Sequence, residues 1–329
     1  MKDVGLVGVP YSGTSTLFTA LTRTGAAGGR SNQAVVQVPD PRLAVLAEME
    51  HSRKVVSAQV RFVDVPGGAS AQAVAALREA DALCVVLRAF GPEPSPAKDL
   101  SDITAELLLA DLANVETALE NARKRGKGRA AKEGPPAELQ ALERAHAALS
   151  EERLLRDEGF DDDARKHLRG LAPLTLKPWI VVANLEEGSG TPPGLPEGTI
   201  GVWAAIEAET AAMPEDEARA LLQEFGVPEP GLAGVIAGCY RALDLITFLT
   251  TGEDETRAWE VRRGALAAEA AGVIHTDLQR GFIRAEVVGY DDLVESGGWD
   301  AAKAKGLLRV EGKDYVVREG DVLHVRFAV

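Results

Sequence analysis

The sequence has few of the residues that build disulfide frameworks and metal centres. Its 329 residues include only two cysteines, Cys84 and Cys239, and both stand among apolar residues. This usage favours buried thiols in a reducing compartment and excludes a fold held together by disulfides. The five histidines are scattered along the chain, so the sequence shows no cluster of metal ligands.

Long apolar runs and an excess of positive charge are also missing. No segment approaches the ~20 apolar residues of a membrane-spanning helix, and the N-terminus does not show a signal-peptide pattern. We therefore expect a cytoplasmic protein with no membrane partner. The net charge is −14, from 36 basic and 50 acidic residues. This balance excludes a generic nucleic-acid coat, although it leaves a local basic patch open.

A glycine-bearing segment near the start of the chain predicts a phosphate-binding loop. Residues 8–16 read Gly-Val-Pro-Tyr-Ser-Gly-Thr-Ser-Thr, between a predicted buried strand and a predicted helix. Gly8, Gly13 and Ser15 fit the template G-x-x-x-x-G-K-[ST], but Thr14 replaces its lysine. Backbone N–H groups and the helix N-terminus still favour phosphate, whereas phosphoryl transfer lacks its fixed cation. The alternative is an ordinary turn between a strand and a helix.

A second motif of phosphate sites follows the strand predicted over residues 59–64. Asp64-Val65-Pro66-Gly67 is a D-x-x-G sequence at the carboxyl end of that strand, the edge where open α/β sheets bind ligands. Asp64 is suited to hold Mg²⁺ through water, and the N–H of Gly67 to face a γ-phosphate. The Ser15 hydroxyl is the other candidate ligand of Mg²⁺. By itself, D-x-x-G is also common in plain turns.

Two helical patterns joined by a basic segment predict a helical hairpin. Apolar residues recur with a helical period from Ile103 to Leu119 and again over residues 137–155. Between them, residues Arg123–Lys132 contain six positive charges. We expect this basic tip either to bind a phosphate backbone such as RNA or to be a solvated hairpin end.

The later part of the chain returns to strands. Residues 177–184 predict a buried strand that ends at Asn184, and amide or carboxylate groups at a strand end can hydrogen-bond a base edge. From Leu245 onward, alternating patterns predict a separate small α+β domain. These patterns include the runs Asp314–Val317 and Val322–Phe327.

The order of these parts resembles the Obg-like ATPase family of P-loop NTPases, known in bacteria as YchF. The likeness runs along nearly the whole chain and is most specific in the C-terminal third. The segments that carry it are Val38-Pro39-Asp40-Pro41-Arg42-Leu43, Ala105–Leu112, Phe248–Gly252, Glu255-Thr256-Arg257-Ala258-Trp259, Ala271–Asp277, Arg280–Glu286 and Glu311–Tyr315.

The resemblance implies an α/β fold with three parts. A P-loop NTPase domain with a G-domain-like sheet would occupy residues 1–100 and 172–243. A helical coiled-coil hairpin would be inserted over residues 101–171. A C-terminal β-grasp TGS domain would occupy residues 244–329.

The resemblance also implies binding of a purine nucleotide with Mg²⁺, ATP rather than GTP, and association with the ribosome. The preference for ATP goes with N-x-x-E, which Asn184 and Glu187 match, and Ala205 belongs to the loop that closes over the base. Ser15 and Asp64 would hold Mg²⁺. The implied nucleotide contacts are Gly8, Tyr11, Ser12, Gly13, Thr14, Ser15, Thr16, Asp64, Gly67, Asn184, Glu187 and Ala205.

The departures from the family lie at the parts that perform hydrolysis. Thr14 replaces the loop lysine, and Tyr11 replaces an asparagine close to where phosphate lies. The first switch reads Ser-Asn-Gln-Ala-Val-Val-Gln over residues 31–37 and has no threonine for Mg²⁺, and the second switch, residues 68–72, is short. We therefore expect weak or absent hydrolysis.

Three cations in the sequence are candidates to replace the missing lysine, namely Lys2, Arg30 and Arg53. The alternative to a nucleotide-binding protein is a non-enzymatic adaptor, a pseudo-NTPase whose helical arm and TGS domain dock on the ribosome or on RNA. A metabolic enzyme with a different pocket has no acid–base or nucleophile constellation to support it.

Overall fold

The computed structural model is a mixed α/β protein with two sheets, and it describes residues 1–22, 32–65, 70–126, 136–211, 213–227 and 231–328. The strands are β1 Lys2–Gly8, β2 Asn32–Gln37, β3 Val55–Val56, β4 Gln59–Asp64, β5 Ala82–Ala89, β6 Trp179–Leu185, β7 Ile200–Val202, β8 Leu245–Thr250, β9 Thr256–Arg262, β10 Phe282–Gly289, β11 Arg309–Glu311 and β12 Asp321–Phe327. The helices are α1 Thr14–Thr22, α2 Arg42–Met49, α3 Ala71–Glu79, α4 Pro96–Gly126, α5 Ala137–Ser150, α6 Asp162–Leu168, α7 Ala204–Thr210, α8 Glu215–Glu224, α9 Gly231–Ala242, α10 Ala267–Ile274, α11 Thr276–Arg280, α12 Tyr290–Ser296 and α13 Trp299–Ala304.

The contacts divide the chain into two compact units. One contains Met1, Val36–Val60 and Tyr240–Val329, and the other contains Lys2–Val35 and Arg61–Cys239. The three-domain division expected from the sequence stays a prediction. That division assigned residues 36–60 to the NTPase domain, whereas the contacts group them with the C-terminal part of the chain.

The first sheet places the strands of the predicted phosphate site side by side. Its order is β2-β4-β1-β5-β6-β7, and β1, β5, β6 and β7 pair in parallel. Strand β5 is an almost continuous apolar run because helices cover both faces of a parallel sheet, and its residues from Ala82 to Leu87 are fully buried. On one face, apolar residues of β1 and β5 pack against Leu77 of α3 and Ile103 and Leu107 of α4. The carboxyl ends of the parallel strands therefore meet at one edge of the sheet.

Helices α4 and α5 form an antiparallel arm with a hydrophobic core of its own. The helical period predicted from the sequence places one apolar stripe of α4 against one stripe of α5. The buried residues of this core are Leu108, Val115, Leu119, Ala122, Ala141, Leu142, Ala145, Ala148 and Leu149, together with Leu155, Phe160 and Leu168 from the segment that follows. The arm therefore has enough apolar contact to be an ordered element rather than a loop.

The second sheet has the order β11-β10-β12-β8-β9-β3. Strands β8 and β9, β10 and β12, and β10 and β11 pair in antiparallel fashion, whereas β12 pairs in parallel with β8. Val55 and Val56 of β3 pair in parallel with Thr256 and Arg257 of β9. A segment from the first fifth of the chain thus completes the sheet of the C-terminal unit.

The segment before β3 is also tied to this unit. Arg42 forms ion pairs with Asp40 and with Glu319, both at 2.7 Å, and the other oxygen of Glu319 accepts the backbone N–H of Thr247 at 2.8 Å. Arg42 of the Val38–Leu43 motif therefore binds directly to the C-terminal part of this unit.

One predicted strand of the C-terminal unit is wrong. The alternation of residues Asp314–Val317 predicts a strand, but they form a turn with a single bridge between Val316 and Leu266. The backbone N–H of Val317 donates to the carbonyl of Ala265 at 3.0 Å, and Tyr315 Oη donates to Asp321 at 2.8 Å. These non-local hydrogen bonds replace a sheet ladder, and sequence alternation does not reveal them.

Candidate functional site

The predicted phosphate loop lies between the end of β1 and the start of α1. The backbone N–H of Ser12 donates to the carbonyl of Val9 at 3.1 Å, and Leu17 donates to Gly13 at 2.9 Å, which closes the first turn of the helix. Tyr11 and Gly13 both have positive φ angles, 68° and 89°. The loop therefore curls tightly just before the N-terminus of α1, where N–H groups favour an anion.

Glycine is required at both template positions because neighbouring atoms leave no room for a Cβ. A Cβ atom on Gly8 would lie 2.8 Å from the carbonyl of Val86 and would overlap the hydroxyl of Ser12. A Cβ on Gly13 would overlap the amide nitrogen of Asn184. The loop thus packs against strands β5 and β6 through positions where a side chain cannot fit.

Two buried oxygens at this edge of the sheet lack hydrogen-bond partners in the described part of the chain. Ser12 and Asp64 are each 1% exposed, and the Ser12 Oγ and Asp64 Oδ2 atoms are unpaired. Asp64 ends β4, the strand next to β1 in the sheet. Because an unpaired buried polar atom costs about 1–3 kcal/mol, such atoms mark places where a ligand or an ion completes the hydrogen bonding.

Neither substituted position of the loop carries a positive charge. The side chain of Tyr11 is 91% exposed, so the ring points into solvent rather than filling the loop. The Cγ2 methyl of Thr14 lies 3.0 Å from the Cβ position of Gly8, so the side chain of Thr14 faces Gly8. A neutral side chain stands where the template has its cation.

Asn184 joins the loop to the helix that follows β7. Its Nδ2 donates to the carbonyl of Ser12 at 3.1 Å, and its Oδ1 accepts the backbone N–H of Ala204 at 3.2 Å. The side chain is 5% exposed. The neighbouring Ala205 is exposed on α7. The amide therefore fixes the loop and the start of α7 in one arrangement.

The other acidic residues near the end of β6 differ in their surroundings. Glu187, the predicted base-recognition residue, is exposed, whereas Glu186 accepts the backbone N–H of Gly91 at 2.6 Å. Glu207 of α7 is 2% exposed and accepts the N–H groups of Gly231 and Leu232, each at 3.1 Å. Burial raises the pKa of Glu207, which these hydrogen bonds offset only in part.

Phe90 had no role in the sequence-based prediction, and Glu207 entered it only as part of the segment Ala204–Glu207 that the resemblance assigns to the loop over the base. The Cε1 atom of Phe90 lies 3.8 Å from the Cβ position of Gly13, and Glu207 caps the start of α9. Phe90 directly follows the buried strand β5, so its position at the carboxyl edge of the sheet could have been predicted from the sequence. The role of Glu207 depends on a segment 24 residues away in the sequence, and no local pattern indicates it.

Lys2 does not replace the missing lysine. Its Nζ binds Asp81 at 2.7 Å at the beginning of β1, and the loop lies at the other end of this seven-residue strand, about 20 Å away at about 3.3 Å per residue. Arg53, which belongs to the other unit, pairs with Asp254 at 3.4 Å. Arg30, the third predicted candidate, lies outside the described residues.

The oxygen donors at the site suit Mg²⁺. Ser15 and Thr16 lie in the first turn of α1, and Ser15 is exposed, so its hydroxyl is accessible. The unpaired Oδ2 of Asp64 is a free carboxylate ligand among the described residues. Mg²⁺ commonly takes one or two protein oxygens and fills its other positions with water and phosphate. Within the described ranges there is no cluster of three His, Cys, Asp or Glu residues that could hold a metal by itself.

Several predicted residues lie outside the described part of the chain. These are Gly67, Ser31 of the first switch, residues 68–69 of the second switch, and Lys127–Lys132 of the basic tip. The described basic residues of the tip are each paired with an acidic residue of the arm. The pairs are Arg123–Glu143 at 3.0 Å, Lys124–Glu120 at 3.4 Å and Arg125–Glu138 at 2.8 Å.

The fold and the loop together define a class of protein. A strand, a glycine loop with a tight turn and a helix stand at the carboxyl edge of a parallel sheet, with Asp64 ending the strand next to β1 and Asn184 in β6. This is the arrangement of the nucleotide-binding P-loop GTPase fold.

Comparisons with known proteins identify the family. A "Ribosome-binding ATPase YchF" of Haemophilus ducreyi is 40% identical over 360 residues, which cover 99% of each chain. The protein of the same name from Bacillus subtilis is 36% identical over 363 residues, again with 99% of each covered. The family model YchF-GTPase_C, described as "Protein of unknown function (DUF933)", matches residues 245–328. The chain belongs to the YchF family.

A solved structure has the same architecture. The YchF GTPase of Schizosaccharomyces pombe matches with a TM-score of 0.84 and 28% sequence identity, over 99% of this chain and 97% of that chain. In the described part of this chain, the helices are too short or too polar to cross a membrane.

Proposed function

We propose that this chain is a purine-nucleotide-binding protein of the YchF type that binds adenine nucleotides in preference to guanine nucleotides. It hydrolyses them weakly or not at all, and it associates with the ribosome. The observation that carries the proposal is the loop itself, whose backbone keeps a tight cradle and whose Ser12 hydroxyl is buried without a partner among the described residues.

The conformation of Tyr11 supports a retained phosphate site. A non-glycine residue at a φ of 68° stores strain of about 1–3 kcal/mol, which persists only where the surrounding structure determines the backbone. In this loop, the close neighbours of Gly8 and the hydrogen bond from Asn184 to the carbonyl of Ser12 hold the backbone in this conformation. The cradle is therefore kept although two of its side chains have changed.

The base preference rests on the residues at the end of β6. Asn184 keeps one amide N–H beyond the one that it donates to Ser12, and this N–H is suited to a purine ring nitrogen. Glu187 stands where guanine-specific members of the class carry an aspartate, and the resemblance associates this N-x-x-E sequence with adenine. The exposed carboxylate of Glu187 is free to turn toward a base.

Weak hydrolysis follows from the charges that are missing. Mg²⁺, bound through the Ser15 hydroxyl and Asp64, would supply positive charge at the phosphates. The template lysine is absent at Thr14, and the first switch has no threonine over residues 31–37. Electrostatic stabilisation of the transferred phosphoryl group is the main catalytic contribution in this class, so its loss lowers the rate by several powers of ten.

Ribosome association is proposed from the family. The bacterial relatives are named as ribosome-binding ATPases, and they align with 99% of this chain. In this proposal the second sheet, with its mixed β11-β10-β12-β8-β9 order and helices α10–α13, is a β-grasp TGS domain. The helical arm is the other contact element. Cytoplasmic location is part of the same proposal.

The first test is equilibrium binding of fluorescent ATP and GTP analogues to the purified chain, with and without Mg²⁺. We expect micromolar binding of the ATP analogue, weaker binding of the GTP analogue, and slow or undetectable phosphate release. Gly13→Ala is the control, because its Cβ would overlap Asn184 and its φ is positive. This variant should lose both nucleotides while circular dichroism shows that it remains folded.

The opposite result is equally clear. If a folded protein binds neither analogue at about 1 mM, a concentration that detects even millimolar dissociation constants, the nucleotide-binding proposal is wrong. The adaptor then remains as the second candidate, and co-sedimentation with ribosomes tests it directly.

A further inference from the structure

The described side chains that face Gly8 in the phosphate loop are neutral. The buried hydroxyl of Ser12 and the Cγ2 methyl of Thr14 both face Gly8 from inside the loop. The remaining attraction for phosphate comes from backbone N–H groups and the N-terminus of α1. A helix N-terminus carries about half a positive charge, and its effect falls off within the first turn.

In the template, a fixed positive charge contacts the phosphates at the far end of the nucleotide. The P-loop lysine reaches the β- and γ-phosphates, and the switch threonine holds the Mg²⁺ that bridges them. This chain has Thr14 in place of the lysine and no threonine over residues 31–37. The backbone cradle is independent of both, so its contacts to the phosphates inside the loop are retained, while the lysine contact to the β- and γ-phosphates and the switch contact to Mg²⁺ are lost.

The nearby carboxylate acts in the same direction. Asp64 is 1% exposed, and its Oδ2 has no donor or cation within the described segments. Where Mg²⁺ does not neutralise it, a buried carboxylate raises the electrostatic cost of each further negative charge brought near it. Adding a γ-phosphate increases the charge of the ligand, and the template lysine that would balance it is absent at Thr14.

We propose that this chain binds nucleoside diphosphates in preference to nucleoside triphosphates. This inference rests on the proposed function, since it assigns the phosphate number of the same ligand. The relatives are named ATPases, whereas the loop of this chain has the charge suited to the diphosphate. The protein would therefore favour the diphosphate when the two nucleotides are present at equal concentration.

The test compares ADP with a non-hydrolysable ATP analogue by isothermal titration calorimetry of the full chain at fixed Mg²⁺. We expect ADP to bind at least tenfold more tightly. Thr14→Lys restores the template cation and should raise the affinity for the ATP analogue more than that for ADP, so that the preference is lost. Thr14→Ser is the matched control, because it keeps a small neutral hydroxyl and should keep the preference.

The outcomes separate the two proposals. If the unmodified chain binds the ATP analogue as tightly as ADP or more tightly, the diphosphate preference is overturned while nucleotide binding stands. If neither ligand binds to the folded protein, both proposals are overturned. If Thr14→Lys strengthens both ligands equally, the preference does not arise from the missing cation, and the electrostatic explanation of it is wrong.

Discussion

Arg78, at the end of α3, donates a hydrogen bond to the fully buried carboxylate of Asp111 in α4 at 2.9 Å. Asp111 also accepts the backbone N–H groups of Leu174 and Thr175 and the hydroxyl of Thr175, at 2.7–3.1 Å. The guanidinium of Arg78 donates further to backbone carbonyls of residues 110, 171 and 172. Every member of this buried network is therefore paired, and it joins three segments at the base of the arm.

This network predicts a large effect of a single substitution. Asp111→Ala leaves Arg78 buried without its partner, and we expect a loss of about 3–5 kcal/mol in the free energy of unfolding. Asp102→Ala removes the exposed Lys98–Asp102 pair of the same helix and should change stability by no more than about 0.5 kcal/mol. Urea unfolding followed by circular dichroism measures both. Equal effects of the two substitutions would contradict the structural role of Asp111.

Asn184 and Glu187 should separate stability from base recognition. Asn184→Ala removes hydrogen bonds to Ser12 and Ala204 in a buried place, so we expect a loss of about 1–3 kcal/mol together with weaker binding of every nucleotide. Glu187→Ala changes an exposed residue, so it should leave stability unchanged and reduce only the ratio of adenine to guanine affinity. Thermal unfolding and nucleotide titration of both variants check this. A stability loss in Glu187→Ala would refute the assignment.

Restoring the lysine should not restore catalysis. Thr14→Lys supplies one cation, but residues 31–37 still lack the threonine that the family resemblance implies as a ligand of Mg²⁺. We therefore expect stronger ATP binding with a phosphate-release rate that stays within about tenfold of that of the unmodified chain. Release of inorganic phosphate under single-turnover conditions is the measurement. Turnover that rises by several powers of ten would mean that the lysine was the only defect.

The ion pairs of the arm predict that its basic charge is masked. If the tip binds ribosomal RNA, neutralising the acidic partners should strengthen co-sedimentation at low salt, whereas reversing the basic residues should weaken it. Raising the salt concentration should reduce the difference. The same sedimentation for all three proteins would exclude the tip as the contact. The two variants are Glu120→Gln/Glu138→Gln/Glu143→Gln and Arg123→Glu/Lys124→Glu/Arg125→Glu.

Asp81 predicts a pH dependence of stability. Burial raises the pKa of Asp81, but hydrogen bonds from Lys2 and from the backbone N–H of Asp3 outweigh it and hold the pKa below its ordinary value. A carboxylate with a lowered pKa stabilises the fold above its unfolded pKa of about 3.9, and this contribution is lost as the pH falls through the lower folded value. Asp81→Asn should therefore be less stable than the unmodified chain at pH 6.

The difference between these two proteins should shrink when the pH falls below about 4, because the carboxylate then becomes protonated, first in the unfolded chain and at lower pH in the folded one. Denaturant unfolding at several pH values measures it. A constant difference across the whole pH range would show that Asp81 acts through its shape rather than through its charge.

Local patterns in the sequence were sufficient to predict most elements near the site. The apolar run of β5, the helical period of α4 and α5, and the glycine loop before α1 each depend on residues close together in the chain. Gly8 and Gly13 could be placed because a phosphate loop requires glycine at those positions. The family also followed from local motifs, and the alignments with relatives confirm it.

The sequence misled where an outcome depended on side-chain direction. The sequence places Tyr11 in the loop but does not reveal that its ring is 91% exposed. Lys2 is a candidate cation by sequence, yet it pairs with Asp81 at the far end of β1. Both results depend on how a side chain leaves a folded backbone, and neither composition nor spacing contains that information.

The sequence by itself determined the class of fold, the family and the chemical groups available at the loop, because these depend on residue types at short spacing. Only the tertiary structure decided how those groups are used. Among the described residues it left Ser12 and Asp64 buried with unpaired oxygens, joined Asn184 to the loop, paired Arg78 with Asp111, and added residues 36–60 to the C-terminal unit. These contacts join residues that are distant in the sequence, and the two unpaired oxygens depend on what surrounds them. Both are therefore specified only by packing in three dimensions.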